Sequence, residues 1–279
     1  MDLYNATVEL HRSNKISTIF RVYPDFPIRK FIPGQYGSLG LINDKGDRLI
    51  KRAYSISSSI IDLSTNKLQD QRRIKYLEFY INRVKEHNKR EQITPKLFKL
   101  KTGDRLFCGE KIIGNYIYQD HKEWKNIFLI STHTGESPNN SIINKLLLDG
   151  KDINICNLNV GKIFSSIYGE EHKFLEKKIN NYKFIQYEDN TENYLELTCY
   201  IEGFLNNDTS ITKAIGFEFN KENTLIMLCG DPKMIGAPIK KGNWEYVYPQ
   251  NGLMKLLQKG SLELTTRFKL GSIVYESYW

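Results

Sequence analysis

The chain has 279 residues and a mass of 32.6 kDa, enough for two domains or one large one. Its 40% hydrophobic and 26% charged residues are ordinary globular values, which argues against a disordered or collagen-like chain, and no apolar run approaches the ~18 residues of a membrane span. The net charge of +8 is uneven: residues 1–120 carry 22 Lys+Arg against 13 Asp+Glu, whereas residues 121–279 carry 18 against 19. A basic first half suits an acidic partner, a membrane surface or nucleic acid. No nucleic-acid fold signature accompanies it, so nucleic acid is not expected. Cys108, Cys156, Cys199 and Cys229 are widely spaced and the five His are scattered, so neither a disulfide framework nor a metal site is expected. The N-terminus has no signal-peptide pattern, and the expectation is a soluble, cytoplasmic protein with no integral membrane segment.

The first half reads as strands. Ala6–His11 and Lys15–Val22 alternate apolar and polar residues, as strands covered on one face should. A turn follows at Ile32–Tyr36, where Gly34 suits a backbone position closed to other residues. Further runs lie at Leu49–Ile56, Tyr76–Val84 and Asp104–Cys108. Many short strands with few helical patterns predict an antiparallel barrel or sandwich over residues 1–120.

After the polar stretch Gln119–Lys125 the rhythm changes. Ile127–Ile130 is wholly apolar, the signature of a buried parallel strand. Pro138 can open a helix in which Ile142, Ile143, Leu146 and Leu147 share a face. A strand at Ile153–Val160, a helix at Glu170–Asn181, a strand at Tyr182–Tyr187 and an apolar run at Leu225–Cys229 follow. Alternating strand and helix predict a doubly wound parallel sheet over residues 121–279.

Three junctions in this half carry chemistry. Ile130-Ser-Thr-His-Thr-Gly-Glu-Ser-Pro138 joins a strand to a helix, where backbone amides receive phosphate. Leu228-Cys-Gly-Asp-Pro-Lys-Met234 follows the carboxyl end of a buried strand, the edge at which open α/β sheets bind ligands. The chain closes on Ile273-Val-Tyr-Glu-Ser-Tyr-Trp279, with two aromatics at an end that is usually frayed and polar. In the first half Arg52-Ala-Tyr-Ser55 offers a planar fork, a flat face and a hydroxyl donor. Each run alone is also compatible with ordinary packing.

Taken in order, these runs are specific. Arg52-Ala-Tyr-Ser-Ile-Ser is followed by Leu77-Glu-Phe-Tyr-Ile-x-x-Val84, then by Ile93-Thr-Pro-x-Leu-Phe98, Gly103-Asp104, the Thr-Gly-Glu-x-Pro turn, Leu228-Cys-Gly-x-Pro-x-Met-Ile235 and Glu276-Ser-Tyr-Trp279. The series resembles the bacterial ferredoxin (flavodoxin)–NADP reductases of the ferredoxin reductase superfamily over nearly the whole chain. The resemblance implies an FAD-binding antiparallel barrel and an NAD(P)-binding α/β domain whose C-terminal tail returns to the flavin. It implies FAD and NADP(H) as cofactors, with NAD(H) as the other nicotinamide nucleotide, and an acidic ferredoxin or flavodoxin as partner.

By the same resemblance, Arg52 pairs with the FAD pyrophosphate, Tyr54 lies against the isoalloxazine and Ser55 hydrogen-bonds near flavin N5. Tyr80 and Ile81 flank the ribose and adenine, and Thr94 serves the phosphates. Thr132, Thr134 and Gly135 form the phosphate turn of the nucleotide half. Cys229 and Glu276 line the nicotinamide pocket, and with Ser55 they make the catalytic set. Tyr278 covers the flavin face, and Trp279 matches a one-residue bacterial extension.

Departures from the family pattern cluster in the nucleotide half. His133 stands where the family has glycine, and Gln186-Tyr-Glu-Asp189 stands where NADP-specific members have Ser/Thr-Arg-Glu. A second family Arg falls at Gly161, beside Lys162, and Arg267 is the only Arg after Arg105. The expected activity is electron transfer between NADP(H), held through Lys162, and ferredoxin or flavodoxin. The alternatives are an NADH-preferring reductase or oxygenase-reductase component, and an FAD relay protein without productive nicotinamide binding.

Overall fold

The computed structural model describes residues 3–70, 73–83, 92–120, 122–161, 166–189, 191, 194–237, 239–241, 245–247, 252–266 and 269–278. They fall into two compact units, Met1–Tyr118 with Ser137–Asp149, and Gln119–Glu136 with Gly150–Trp279.

The first unit is a closed antiparallel barrel. Its strands are β1 (Ala6–Ser13), β2 (Ser17–Pro24), β3 (Tyr36–Ile42), β4 (Leu49–Ser57), β7 (Leu77–Asn82) and β8 (Arg105–Cys108), in the order β1-β2-β7-β4-β3-β8. A small ribbon of β5 (Ile61–Asp62) and β6 (Lys67–Leu68) and the short helix α1 (Thr94–Leu97) complete it. Period-two alternation builds the core: Phe20 and Val22, Leu39 and Leu41, and Leu77, Phe79 and Ile81 all pack inward. Each such side chain contributes about 1.5–3 kcal/mol of apolar burial. Gly34, at φ +100°, closes the turn before β3; a Cβ there would meet the Tyr116 carbonyl oxygen at 1.8 Å.

A helix from the second half of the sequence belongs to this unit. α2 (Glu136–Leu148) turns Ser137, Ser141 and Asn144 toward backbone carbonyls of the barrel unit. Ser137 donates to Ser55 O at 3.0 Å, Ser141 to Ile56 O at 2.8 Å, and Asn144 to Ile60 O and Gln69 O at 3.1 and 2.9 Å. The Tyr116 hydroxyl donates to Asn139 Oδ1 at 2.7 Å. These buried bonds offset part of the cost of desolvating the groups that make them.

The second unit is a parallel sheet of β9 (Asn126–Thr132), β10 (Asn154–Val160), β11 (Tyr182–Tyr187), β12 (Thr224–Gly230) and β15 (Ile273–Ser277), in the order β11-β10-β9-β12-β15. Its connections are α3 (Gly169–Lys178), α4 (Leu195–Leu205), α5 (Thr209–Ile215), α6 (Pro232–Ile235), the ribbon β13 (Ile239–Lys241) with β14 (Glu245–Val247), and α7 (Leu253–Lys259). Every residue of β9 and β12 is buried, as central parallel strands covered on both faces require. Strand order reverses between β9 and β12, which places a crevice at their carboxyl ends. Among the described residues no helix is long and apolar enough to cross a membrane, and no group of three or more His, Cys, Asp and Glu could hold a metal ion.

Candidate functional site

In the barrel, the candidate residues collect on β4. Lys51, Arg52 and Ala53 are exposed in succession, although a strand covered on one face should bury every second residue. The ladder explains this. β4 pairs with β3 along its length but with β7 only at Ile56↔Phe79 and Ser57↔Glu78, so residues 49–55 are laddered on the β3 side alone. Arg52 Nη1 donates to the Lys51 carbonyl at 2.9 Å, and its side chain is exposed. Tyr54 packs against the barrel core, and its hydroxyl shares a hydrogen bond with Thr94 Oγ1 at 3.0 Å. Burial raises the Tyr54 pKa, against the opposing pull of Thr94 and Arg52, so the phenol is neutral. Ser55 is buried one residue further on.

Tyr80 and Ile81 are both buried, on opposite faces of β7. Ile81 points into the barrel core, so its side chain is not brought to the β4 surface, whereas Tyr80 lies outside that core. An exposed guanidinium, a flat ring steadied by Thr94 and a strand edge free of its neighbour fit a pyrophosphate-bearing aromatic group.

In the parallel sheet, the register sets the site. Cys229 stands abreast of Ser131 on one side and Glu276 on the other, and Gly230 abreast of Ser277. The Tyr278 N–H continues that ladder to Gly230 O at 2.9 Å. Cys229 is fully buried, and burial above all, with the Glu276 carboxylate next, holds its pKa well above the usual thiol value against a hydrogen bond from Tyr278. It is a neutral thiol that brings Glu276 and Tyr278 together, not a nucleophile.

The two turns of the crevice are interlocked. Gly230 has φ +124°, and a Cβ there would lie 2.1 Å from Thr132 Oγ1; a Cβ on Gly135 would lie 2.3 Å from the Cys229 carbonyl oxygen. Asp231 N donates to Thr132 Oγ1 at 2.7 Å, while the Asp231 carboxylate caps α6 through Lys233 N at 2.8 Å and accepts the Tyr194 hydroxyl at 2.9 Å. Thr134 and His133 form the 3-10 turn before α2. His133 has φ +48°, the left-handed backbone that glycine adopts freely and a Cβ disfavours. Crowding at the sheet edge lowers its pKa, against the pull of Asp231. Lys162, Arg267 and Trp279 lie outside the described residues.

A comparison with curated proteins finds the flavodoxin/ferredoxin–NADP reductase of Buchnera aphidicola (from Schizaphis graminum) 26% identical over 270 residues, covering 94% of this chain and 93% of that one. This chain is a relative of the flavodoxin/ferredoxin–NADP reductases. No protein-family model matches it. Among solved structures, a ferredoxin NADP+ reductase from Neisseria gonorrhoeae with bound FAD and NADP aligns at a TM-score of 0.73 and 16% identity, over 98% and 97% of the two chains. The FAD/NAD-binding domain of a nitric oxide dioxygenase from Vibrio cholerae aligns at 0.61 and 13%, over 99% of both. The fold is the one these structures share, a six-stranded antiparallel barrel and a five-stranded parallel sheet with helices, as the sequence predicts.

Three features of the reductase-like sheet escape a reading of sequence runs. The Thr132–Asp231 link joins residues 99 apart, with no local signal. Tyr200 pairs with Tyr187 across a helix that the strand pattern did not reveal. Asp189, adjacent to the expected cation position, has its carboxylate occupied: Oδ1 accepts Thr191 N at 2.8 Å and the Thr191 hydroxyl, and Oδ2 accepts Leu197 N at 2.9 Å. The Asp-x-Thr spacing is the local signal that could have revealed this turn.

Proposed function

We propose that this protein is an FAD-dependent oxidoreductase that moves electrons between NADP(H) and a ferredoxin or flavodoxin. The observation that carries the reading is the barrel strand β4, with Arg52, Tyr54 and Ser55 on an edge open toward β7, in a chain related over 94% of its length to a flavodoxin/ferredoxin–NADP reductase. When bound, FAD supplies a centre that accepts two electrons as hydride and releases them singly.

The side chains bind and orient. Arg52 supplies a fork for the pyrophosphate, Thr94 a hydroxyl toward the phosphates, and Tyr54 a face for the flavin, held by its bond to Thr94. Ser55 serves the flavin near N5, and Tyr80 the adenosine side. Thr132, Thr134 and Gly135 receive the nucleotide diphosphate, and Lys162 serves the 2′-phosphate of NADP(H). Cys229 fills the wall of the nicotinamide pocket without adding charge, Glu276 orients the carboxamide or relays a proton, and Tyr278 supplies the aromatic cover of the flavin.

The basic residues of 1–120 fit an acidic protein partner, whose encounter is accelerated by long-range attraction. The four cysteines are free, which supports the cytoplasm as the compartment. Turnover with ferredoxin or flavodoxin as acceptor tests the reading: it falls steeply as salt is added. Salt-independent turnover removes the basic surface as the docking site, and absence of flavin from the purified protein removes the reading itself.

A further inference from the structure

The second unit contains a chain of buried polar groups that the proposed function does not use. Glu136, His172 and Tyr182 are fully buried, and each comes from a different element: Glu136 opens α2, His172 lies in α3 and Tyr182 begins β11. Glu136 Oε1 lies 2.8 Å from His172 Nε2, and His172 Nδ1 lies 2.7 Å from the Tyr182 hydroxyl. The Ser166 hydroxyl, between β10 and α3, donates to the same carboxylate, 2.7 and 3.0 Å from its two oxygens. Phe184 stacks on the imidazole with the ring centroids 4.2 Å apart.

The direction of these bonds follows from the chemistry of the groups. Burial above all holds the Tyr182 pKa well above the usual phenol value, so the hydroxyl keeps its proton and donates it to His172 Nδ1. The imidazole proton then stands on Nε2 and is donated to the Glu136 carboxylate. Glu136 thus accepts from two side chains, one on α3 and one in the segment before it.

Burying a carboxylate and an imidazole costs stability that apolar side chains of similar volume would not, so packing alone does not account for the cluster. Its place in the fold does. The Glu136 backbone N–H closes the 3-10 turn His133–Gly135 by donating to the His133 carbonyl. The residue whose carboxylate is held at α3 is therefore the one that completes the phosphate turn. At the other end of that turn the Thr132 hydroxyl accepts from Asp231 N. The turn is gripped on both sides, toward β12 through Thr132 and toward α3 through Glu136.

We propose that Glu136 is a positioning residue for the nucleotide diphosphate, acting through the turn it closes, and that His172 and Ser166 are the donors that fix its carboxylate. The inference rests on the proposed function, which brings the diphosphate to Thr134 and Gly135. Loss of the anchor weakens nucleotide binding and leaves the rate at saturation, because none of these side chains touches the reacting atoms.

The test is steady-state reduction of ferricyanide by NADPH with the FAD-loaded full chain, reading KM for NADPH and kcat separately. His172→Phe keeps a ring against Phe184 and removes the donor to Glu136. It should raise KM about tenfold, the order of one charge-assisted hydrogen bond, with kcat within about twofold. His172→Gln returns an N–H at the place of Nε2 and should keep KM within about threefold of wild type. Tyr182→Phe removes the bond on the far side of the imidazole; it should lower the thermal midpoint and move KM by less than about twofold. A KM that rises in Tyr182→Phe as it does in His172→Phe follows stability alone and overturns the inference. So does an unchanged KM in His172→Phe, or a glutamine variant no better than the phenylalanine one. Should His172→Phe not fold, Ser166→Ala at the half-buried end of the chain decides: a KM raised about threefold at constant kcat supports the inference, and an unchanged KM overturns it. If wild type turns over NADPH and the variants match it, only this inference fails. If wild type holds FAD and shows no turnover with NADPH, it fails together with the proposed function.

Discussion

Asp231 N donates to the Thr132 hydroxyl at 2.7 Å, and this bond ties the turns after β9 and β12 together where the strand order reverses. Thr132 is buried, and Gly230 must lack a side chain for the approach to occur. The hydroxyl is the acceptor that fixes the β12 turn against the end of β9. Thr132→Val keeps the shape and removes the acceptor. It should cost about 1–2 kcal/mol in urea unfolding and weaken nucleotide binding, whereas Thr132→Ser should preserve both. Equal behaviour of the two variants would remove the bond from the account.

His133 holds a left-handed conformation at φ +48°. His133→Gly should raise stability by up to about 1 kcal/mol, because glycine adopts that region without the Cβ clash. His133→Ala keeps the clash and should show no gain. A destabilised glycine variant would mean that the imidazole makes a compensating interaction.

Asn144 gives its amide hydrogens to Ile60 O and Gln69 O, and Ile60 O also accepts the Gln69 N–H at 3.0 Å. Asn144→Ala should cost about 1–3 kcal/mol, from two lost bonds. The loss is read as a lower thermal midpoint with the fold retained by circular dichroism. An unchanged midpoint would show that α2 is not held by these bonds.

His11 has a pKa below the usual 6.5, through burial and then Arg21. The unfolded chain therefore binds more protons than the folded one in this range, and stability rises with pH there. The contribution is complete above about pH 7 and is lost as pH falls through 6.5 toward the lowered folded value. Unfolding at pH 7.5, 6.5 and 5.5 should show the fall, and His11→Asn should flatten it. Stability that rises on acidification through this window would contradict the His11 shift.

How far the sequence reveals the molecule depends on whether a residue's partner is near in the chain. The apolar runs of β9 and β12 identify themselves because strands buried on both faces need no polar residue. β3 is hidden by Gly37 and Gly40, which weaken the strand pattern; Gly40 is required because a Cβ would lie 3.2 Å from Ile50 O and Phe107 Cβ. The helix carrying Ile142 and Ile143 is legible, but its polar residues read as surface. In fact Ser137, Ser141 and Asn144 are buried and bond to the barrel. Ile81 adjoins Tyr80 in the sequence, yet the strand period turns it into the core. Asp189 reads as an acid free to meet a ribose, but a turn only two residues long captures its carboxylate.

The central claim is that FAD in the barrel exchanges hydride with a nicotinamide nucleotide held by the parallel sheet. The most direct measurement is the visible spectrum of the purified protein during anaerobic titration with NADPH and, in parallel, NADH. The account predicts a bound-flavin spectrum that bleaches at low excess of NADPH. A flavin that dithionite bleaches and neither nucleotide does would contradict it, and would leave an electron-relay protein whose sheet no longer serves hydride transfer.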